Sequence, residues 1–362
     1  MDRRKGSGRD IWYVVKDPGG TNGVLPIREQ TRAMGLSDLL IANGKAVELL
    51  QGKEEFVAAE NALEVLAAHE LPKVVVTSMC SDGGVGRGLS SILQERVPVI
   101  GVQDFWGARL WTAWANPGCW PHAIIVNDRV GAKILGDAWK GYGPERIWIT
   151  GYPAQDKYFG FDVPGTGAKV KSDLGLTHDW PLVLWGGQVK LSGEIFREFV
   201  SALDETGQSV YLISRQHPRM KDDAPEEVPK VEEALANFRS GEIVDASGYK
   251  DILPLLAASD LVVSIFSTVL VDAAAIGRQN ISVLYPETGM KRFLEETGGG
   301  MKEFPLVELA CSKKAMNRRE LISALASAFE GGLGLEAAQA ETFKLDGKNA
   351  ERVAKRVATL IA

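Results

Sequence analysis

KVVVTSMCSDGGVGRGLSSILQERVPVIGVQ, residues 73–103, holds the pattern on which the fold turns. Two apolar runs, KVVVTS (73–78) and VPVIGVQ (97–103), are rich in β-branched residues and show no apolar–polar alternation. Between them lie a glycine-rich loop, SMCSDGGVGRG (78–88), and a helical stretch, GLSSILQER. A strand that is apolar on both faces needs cover on both faces, and an intervening helix returns the chain so that the second strand starts parallel to the first. The same unit recurs outward from here, with IWYVV (11–15), DLLIA (38–42), HAIIVN (122–127) and RIWIT (146–150) as further strands. This half therefore reads as a doubly wound α/β domain.

The segment FDVPGTGAKV, residues 161–170, concentrates Pro and Gly where neither period persists, and it reads as a linker. Beyond it the alternation restarts with PLVLWGG (181–187), SVYLIS (209–214), GEIVDA (241–246), LVVSIF (261–266) and QNISVLY (279–285), separated by helical stretches. The expected division is a Rossmann-like domain over residues 10–160, the linker, a second Rossmann-like domain over 171–345, and a helix over 346–362. That helix carries Val353, Val357 and Leu360 on one stripe and is expected to pack back on the first domain. Two such domains in tandem turn the carboxyl ends of their sheets toward a shared cleft, so the loops after the strands are where chemistry is expected.

Bulk properties narrow the function. A chain of 362 residues supports two cores, and 45% hydrophobic with 24% charged residues is ordinary globular usage. A net charge of −6 gives no overall pull toward nucleic acid. Cys80, Cys119 and Cys311 lack CxxC spacing, which argues against a zinc ribbon or a disulfide scaffold and fits a reducing cytoplasm. The five-residue run IWYVV is too short for a signal-peptide core, and no 18-residue apolar span occurs. Residues 1–9 read as a loose basic tail. No cluster has metal-ligand spacing.

Several loops stand out. In KDPGGTNG (16–23), Gly19, Gly20, Thr21 and Asn22 precede a helix expected to begin near Val24 with Pro26 in its first turn. Bare N–H groups there could cradle an anion or a sugar edge, with Asp17 as a candidate general base. A tight βα turn explains the same residues. Asp82 in the second glycine-rich loop and Asp104 at the end of VPVIGVQD are further candidate bases. Four of the nine tryptophans, Trp106, Trp111, Trp114 and Trp120, crowd one segment, either as a stacking platform led by Trp106 or as ordinary packing. In the second half, Gly187 and Gln188 close a strand ahead of a helix as another backbone cradle, and RQHPR (215–219) places Arg215, His217 and Arg219 after a strand. Ser267 can cap a helix that opens with Thr268, and Asp272 lies one turn further on; a hydroxyl pair at a helix N-terminus suits a phosphate, and the carboxylate suits ribose hydroxyls.

In this order the loops resemble the GT-B superfamily of nucleotide-sugar enzymes, which includes bacterial sialyl- and polysialyltransferases, CDP-glycerol glycerophosphotransferases and UDP-N-acetylglucosamine 2-epimerases. The residues that carry the resemblance are RQHPR (215–219), SIFST (264–268), ITGYP (149–153) and the helix and strand STVLVDAAAIGRQNISVLYP. The resemblance implies that His217, Ser267 and Thr268 hold nucleotide phosphates, with Asp272 at the acidic position of the donor helix. It implies a transferase moving a sugar or polyol unit from a UDP-, CMP- or CDP-linked co-substrate to an acceptor hydroxyl of a glycan, lipid or polyol, with a nucleic-acid acceptor still open. No further cofactor and no metal are expected. The paired glutamates of retaining transferases are missing, which favours inversion. YPETG (285–289) stands where the 2-epimerases carry an arginine and glutamate cluster. An epimerase-like enzyme and a nucleotide-binding protein without turnover remain the alternatives.

Overall fold

The apolar runs form two parallel sheets, one in each of two units, in a computed structural model that describes residues 8–79, 83–103, 105–107 and 110–361. The first unit comprises residues up to Phe159 together with Thr297–Met301 and Leu345–Ala362. Its strands are β1 (Ile11–Val15), β2 (Asp38–Ala42), β3 (Val57–Ala58), β4 (Val74–Ser78), β5 (Val99–Val102), β6 (Ala123–Val126) and β7 (Ile147–Ile149). They lie in the order β3-β2-β1-β4-β5-β6-β7, all parallel. The lack of alternation in β1 has a direct cause. Ile11, Tyr13 and Val15 enter one core with Val24 and Ile27 of the helix Pro18–Ala33, whereas Trp12 and Val14 enter a second core with Val85, Leu89 and Leu93 of the helix Gly84–Leu93.

The helix Asn349–Thr359 also belongs to the first unit, with Val353 and Val357 fully buried in the core of Ile11 and Tyr13. Burial of each valine contributes about 1.5–3 kcal/mol. The helix start is held by Asp156, whose carboxylate accepts the backbone N–H groups of Asn349 at 3.0 Å and Ala350 at 2.7 Å. The segment Thr297–Met301 joins this unit where Gly300 lies flat against the ring of Trp111, a position at which any side chain would collide with the indole.

The second unit comprises Gly160–Glu296 and Lys302–Lys344. Its strands are β8 (Leu182–Gly186), β9 (Val210–Arg215), β10 (Gly241–Ile243), β11 (Leu261–Ser264), β12 (Gln279–Val283) and β13 (Lys313–Ala315). The order is β10-β9-β8-β11-β12-β13, again all parallel. Both units are Rossmann-like, and strand order reverses between β1 and β4 in one and between β8 and β11 in the other.

The segment expected as a linker is mostly helix. Residues Val163–Asp173 form a helix of the second unit, because Asp162 caps it by accepting the Gly165 N–H at 2.9 Å and Pro164 sits in the first turn, where its missing N–H costs nothing. Gly167 lies against the Ala257 backbone of the helix Leu253–Ala258. Among the described residues no helix is long and apolar enough to cross a membrane, and Cys119 and Cys311 are buried thiols.

Candidate functional site

At the reversal point of the second sheet, Gly186 of β8 pairs with Ser264 of β11, and the Ser264 hydroxyl donates to the Gly186 carbonyl at 2.5 Å. This bond fixes the roots of two loops. From the first, the Gln188 side-chain amide donates to the Phe266 carbonyl of the second at 2.9 Å, while its buried Oε1 has no partner among the described residues. Ser267 then caps the helix Thr268–Ala275, accepting the Val269 N–H at 3.3 Å. Thr268 is exposed at the first helical position, and Asp272 is half-buried one turn on.

The backbone cradle expected at Gly187 and Gln188 is already filled. The Gly187 N–H donates to the Arg215 carbonyl at 2.8 Å and the Gln188 N–H to the Ser192 hydroxyl at 2.9 Å. The N-terminus of the next helix, Ser192–Glu205, is closed by Glu227, whose Oε2 accepts the Gly193 N–H at 2.8 Å and the Glu194 N–H at 3.4 Å. Glu227 is 3% exposed and pairs through Oε1 with Lys230 at 2.8 Å. A built-in carboxylate thus sits where a phosphate would otherwise meet this helix. Gln188 contributes its side chain, and Gly187 contributes close packing against Gln216.

The residues of RQHPR divide in the same way. Arg215, at the end of β9, donates to the carbonyls of Tyr249 at 2.6 Å and Lys250 at 2.8 Å, so it ties down a neighbouring loop. Arg219 forms an exposed ion pair with Asp223 at 3.1 Å. The Arg219 N–H donates to Nδ1 of half-buried His217 at 3.1 Å, which puts the proton of the neutral ring on Nε2 and makes that nitrogen the donor. Sequence reasoning passed over Arg292. Its guanidinium, 11% exposed, donates to the Lys190 carbonyl in the loop after Gln188, and its buried Nε has no partner among the described residues. No motif around KRFLEE marks it.

In the first unit the helix after β1 begins at Pro18, so Gly19, Gly20, Thr21 and Asn22 lie inside it rather than ahead of it, and Pro26 stands in its interior. The reason is that Pro18 already fills the position where proline starts a helix most readily. Thr21 is fully buried, and its N–H and hydroxyl both donate to the Asp17 carbonyl at 2.9 Å. Gly20 packs against Ser78 so closely that a side chain would collide with it. Gly19 and Asn22 are exposed. Asp17, half-buried just after β1, occupies the N-cap position of this helix. Asp82 and Asp104 lie outside the described residues.

The tryptophan segment is packing. Trp106 is 1% exposed and its Nε1 donates to Asp128 at 2.7 Å; Trp114 is fully buried, and Trp120 stacks on Trp139 with centroids 4.8 Å apart. Asp128 also accepts the Tyr152 hydroxyl and the Gly131 N–H, so both of its carboxylate oxygens are engaged. Trp106 therefore presents no face to a ligand. Among the described residues no group of three or more His, Cys, Asp and Glu side chains is placed to hold a metal ion.

No protein-family model matches the chain, and no curated protein matches it. Solved structures do. The wall teichoic acid polymerase TagF is 14% identical over 98% of this chain and 89% of its own, with a TM-score of 0.60. The UDP-GlcNAc 2-epimerase from Methanocaldococcus jannaschii is 15% identical over 96% of this chain and 99% of its own, with a TM-score of 0.65. The S. aureus MnaA–UDP structure is 14% identical over 97% of this chain and 96% of its own, with a TM-score of 0.67. Two parallel sheets, each reversing its strand order at an adjacent pair of strands, and alignment to these structures over nearly the whole chain identify the fold of the protein as GT-B.

Proposed function

We propose that the protein transfers a sugar or related polyol unit from a nucleotide-activated donor to an acceptor hydroxyl, with inversion at the reacting carbon. The observation that carries this reading is the contrast between the two helices that start at the reversal point of the second sheet. Ser192–Glu205 has its N-terminus closed by a carboxylate, that of Glu227, whereas Thr268–Ala275 is capped only by the neutral Ser267 hydroxyl and opens on an exposed threonine. A helix N-terminus attracts phosphate through its free N–H groups and dipole.

Charge gathers on the departing nucleotide phosphate as its bond to the sugar breaks. Thr268, through its N–H and hydroxyl, and His217, through Nε2–H, are fixed donors for that charge and need no reorganisation at the moment of reaction. Asp272 takes the ribose hydroxyls. As the acceptor oxygen forms the new bond to the sugar carbon, its proton passes to a carboxylate base, for which Asp17 is the candidate. UDP-GlcNAc bound to the Neisseria meningitidis 2-epimerase and UDP bound to S. aureus MnaA support a UDP-linked donor. They equally support a second reading, in which the donor sugar is epimerised without an acceptor.

Incubation with UDP-, CMP- and CDP-linked donors, with and without a panel of glycan and polyol acceptors, tests the proposal. Nucleotide release that depends on an acceptor is expected. Deuterium uptake from heavy water into the donor sugar, with no acceptor present, would instead establish epimerisation. Tight nucleotide binding without any product would mean a binding protein.

A further inference from the structure

The segment that follows β12 reaches back across the reversal point of the second sheet. In the strand order β10-β9-β8-β11-β12-β13, β11 lies between β8 and β12, so a chain leaving β12 meets the loop after β11 before the loop after β8. Gly289, in the turn Pro286–Met290, makes the close approach possible. A Cβ there would stand 2.5 Å from the Val283 carbonyl oxygen and 3.0 Å from Ile265 Cγ2, so a side chain would lift the turn off the ends of β12 and β11. The short helix Lys291–Glu296 then sends two adjacent residues to two different loops. Phe293 is fully buried, with its ring edge-to-face against Phe266 at 5.3 Å between centroids. Arg292 donates to the Lys190 carbonyl.

The loop after β8 needs such an anchor. Leu191 closes it at a φ of +57°, a left-handed conformation that is unfavourable for a residue with a Cβ. Lys190 is exposed and Val189 half-buried, so apolar packing does little to hold them. Hydrogen bonds do the holding. The Gly187 N–H donates to the Arg215 carbonyl, the Gln188 N–H to the Ser192 hydroxyl and the Gln188 side chain to the Phe266 carbonyl. The Arg292 bond falls on the residue directly before Leu191. The ion pair of Arg292 with Glu296 does not by itself account for an arginine here. Glu296 is 48% exposed, and a pair open to solvent contributes little, whereas the guanidinium gives up most of its hydration.

We infer that Arg292 is a positioning residue: it holds the loop Gly187–Leu191 in its left-handed closure and, through Gln188 and the Phe266 carbonyl, sets the place of Ser267 and Thr268. It acts through the loop and not by touching the donor. All of these residues belong to the second unit. The consequence for donor binding rests on the phosphate site assigned to Thr268, whereas the holding of the loop does not.

Hydrogen–deuterium exchange read by mass spectrometry, with calorimetric titration of UDP, CDP and CMP, tests the inference on the full chain. In Arg292→Met, peptides covering residues 187–192 should exchange faster by about tenfold or more, as local opening becomes easier. Affinity for the preferred nucleotide should fall about 10- to 100-fold, the scale on which a remote misplacement is felt. Peptides from β9 and from the body of the helix Ser192–Glu205 should keep the parental rate, which a general loss of stability would not allow. Arg292→Lys, which keeps a charged donor, should restore the protection of the loop and most of the affinity. If Arg292→Met fails to fold, Arg292→Gln, polar but shorter than arginine, takes its place. If the parent binds none of these nucleotides, the donor reading has failed, and the exchange rates alone decide the role of Arg292. Parental exchange over 187–192 in the folded variant, faster exchange spread evenly over the second unit, a released loop with undiminished nucleotide affinity, or an Arg292→Lys protein no better than Arg292→Met would each overturn the inference.

Discussion

Replacing Thr268 by Val removes one hydroxyl and keeps the shape of the side chain. Thr268 is exposed, and the cap of its helix is supplied by Ser267, so the fold loses nothing that depends on that hydroxyl. Threonine and valine also have similar helix propensities. Stability should therefore change by less than ~0.5 kcal/mol. Donor binding should suffer far more, because a hydrogen bond to a charged phosphate is worth about 1.5–3 kcal/mol, which corresponds to a loss of about 10- to 150-fold in affinity. Ser267→Ala separates the two effects. It removes the cap on Val269 and should cost about 1 kcal/mol of stability, a fall of about 2–4 °C in Tm for a domain of this size. Calorimetric titration with UDP, CDP and CMP, together with thermal melts, reads both quantities. A Thr268→Val protein that binds its preferred nucleotide within twofold of the parent would refute the phosphate site at this helix.

Asp17→Asn should lower turnover by about 10²- to 10⁴-fold, the range for a positioned general base, with nucleotide affinity unchanged; retention of more than about a tenth of the parental rate would rule Asp17 out. Glu227→Ala should destabilise the second unit by about 2–3 kcal/mol, since it strips the cap from Gly193 and Glu194 and leaves Lys230 without its partner. Urea melts should show Glu227→Gln losing less, and equal stability of all three proteins would contradict the capping role. Asp10 supplies a pH test. The hydroxyl and N–H of Ser37, and then Lys73, hold its carboxyl below the usual aspartate range, so its contribution to stability is fully present above the unfolded value of about 4 and is lost as pH falls through the lower folded value. Asp10→Asn should therefore flatten the acid limb of the stability curve, and an unchanged limb would count against it.

The strands were legible because burial on both faces leaves a run of apolar residues with no competing pattern, as in IWYVV, where alternate residues feed two different cores. Helix starts were less legible. Pro18 and Pro26 both suit a first turn, and only tertiary packing of Gly20 on Ser78 reveals that the helix already runs through the glycines. Asp162 and Pro164 similarly turn a Pro- and Gly-containing stretch into a helix rather than a linker. Side-chain duties depend on partners far away in sequence. Trp106 is a core residue through Asp128, 22 positions on, and the cradle at Gly187 and Gln188 is filled by Ser192, by the Arg215 carbonyl and, at the adjoining helix, by Glu227. Neither pairing leaves a trace in local composition. Ser267 and Thr268 were readable because a cap and the residue after it are local chemistry.

The helix Asn349–Thr359 also bears on how the chain assembles as it is made. Val353 and Val357 complete the cover that Val24 and Ile27 begin over the face of the first sheet carrying Ile11 and Tyr13, so that face stays partly open until residues 349–359 have left the ribosome. The second unit, drawn from Gly160–Glu296 and Lys302–Lys344, has its full set of residues earlier. Domains usually complete in the order in which they are synthesised. Here the part made first is the last to be finished, and a chain halted before Val353 carries a half-covered apolar sheet face into a crowded cell.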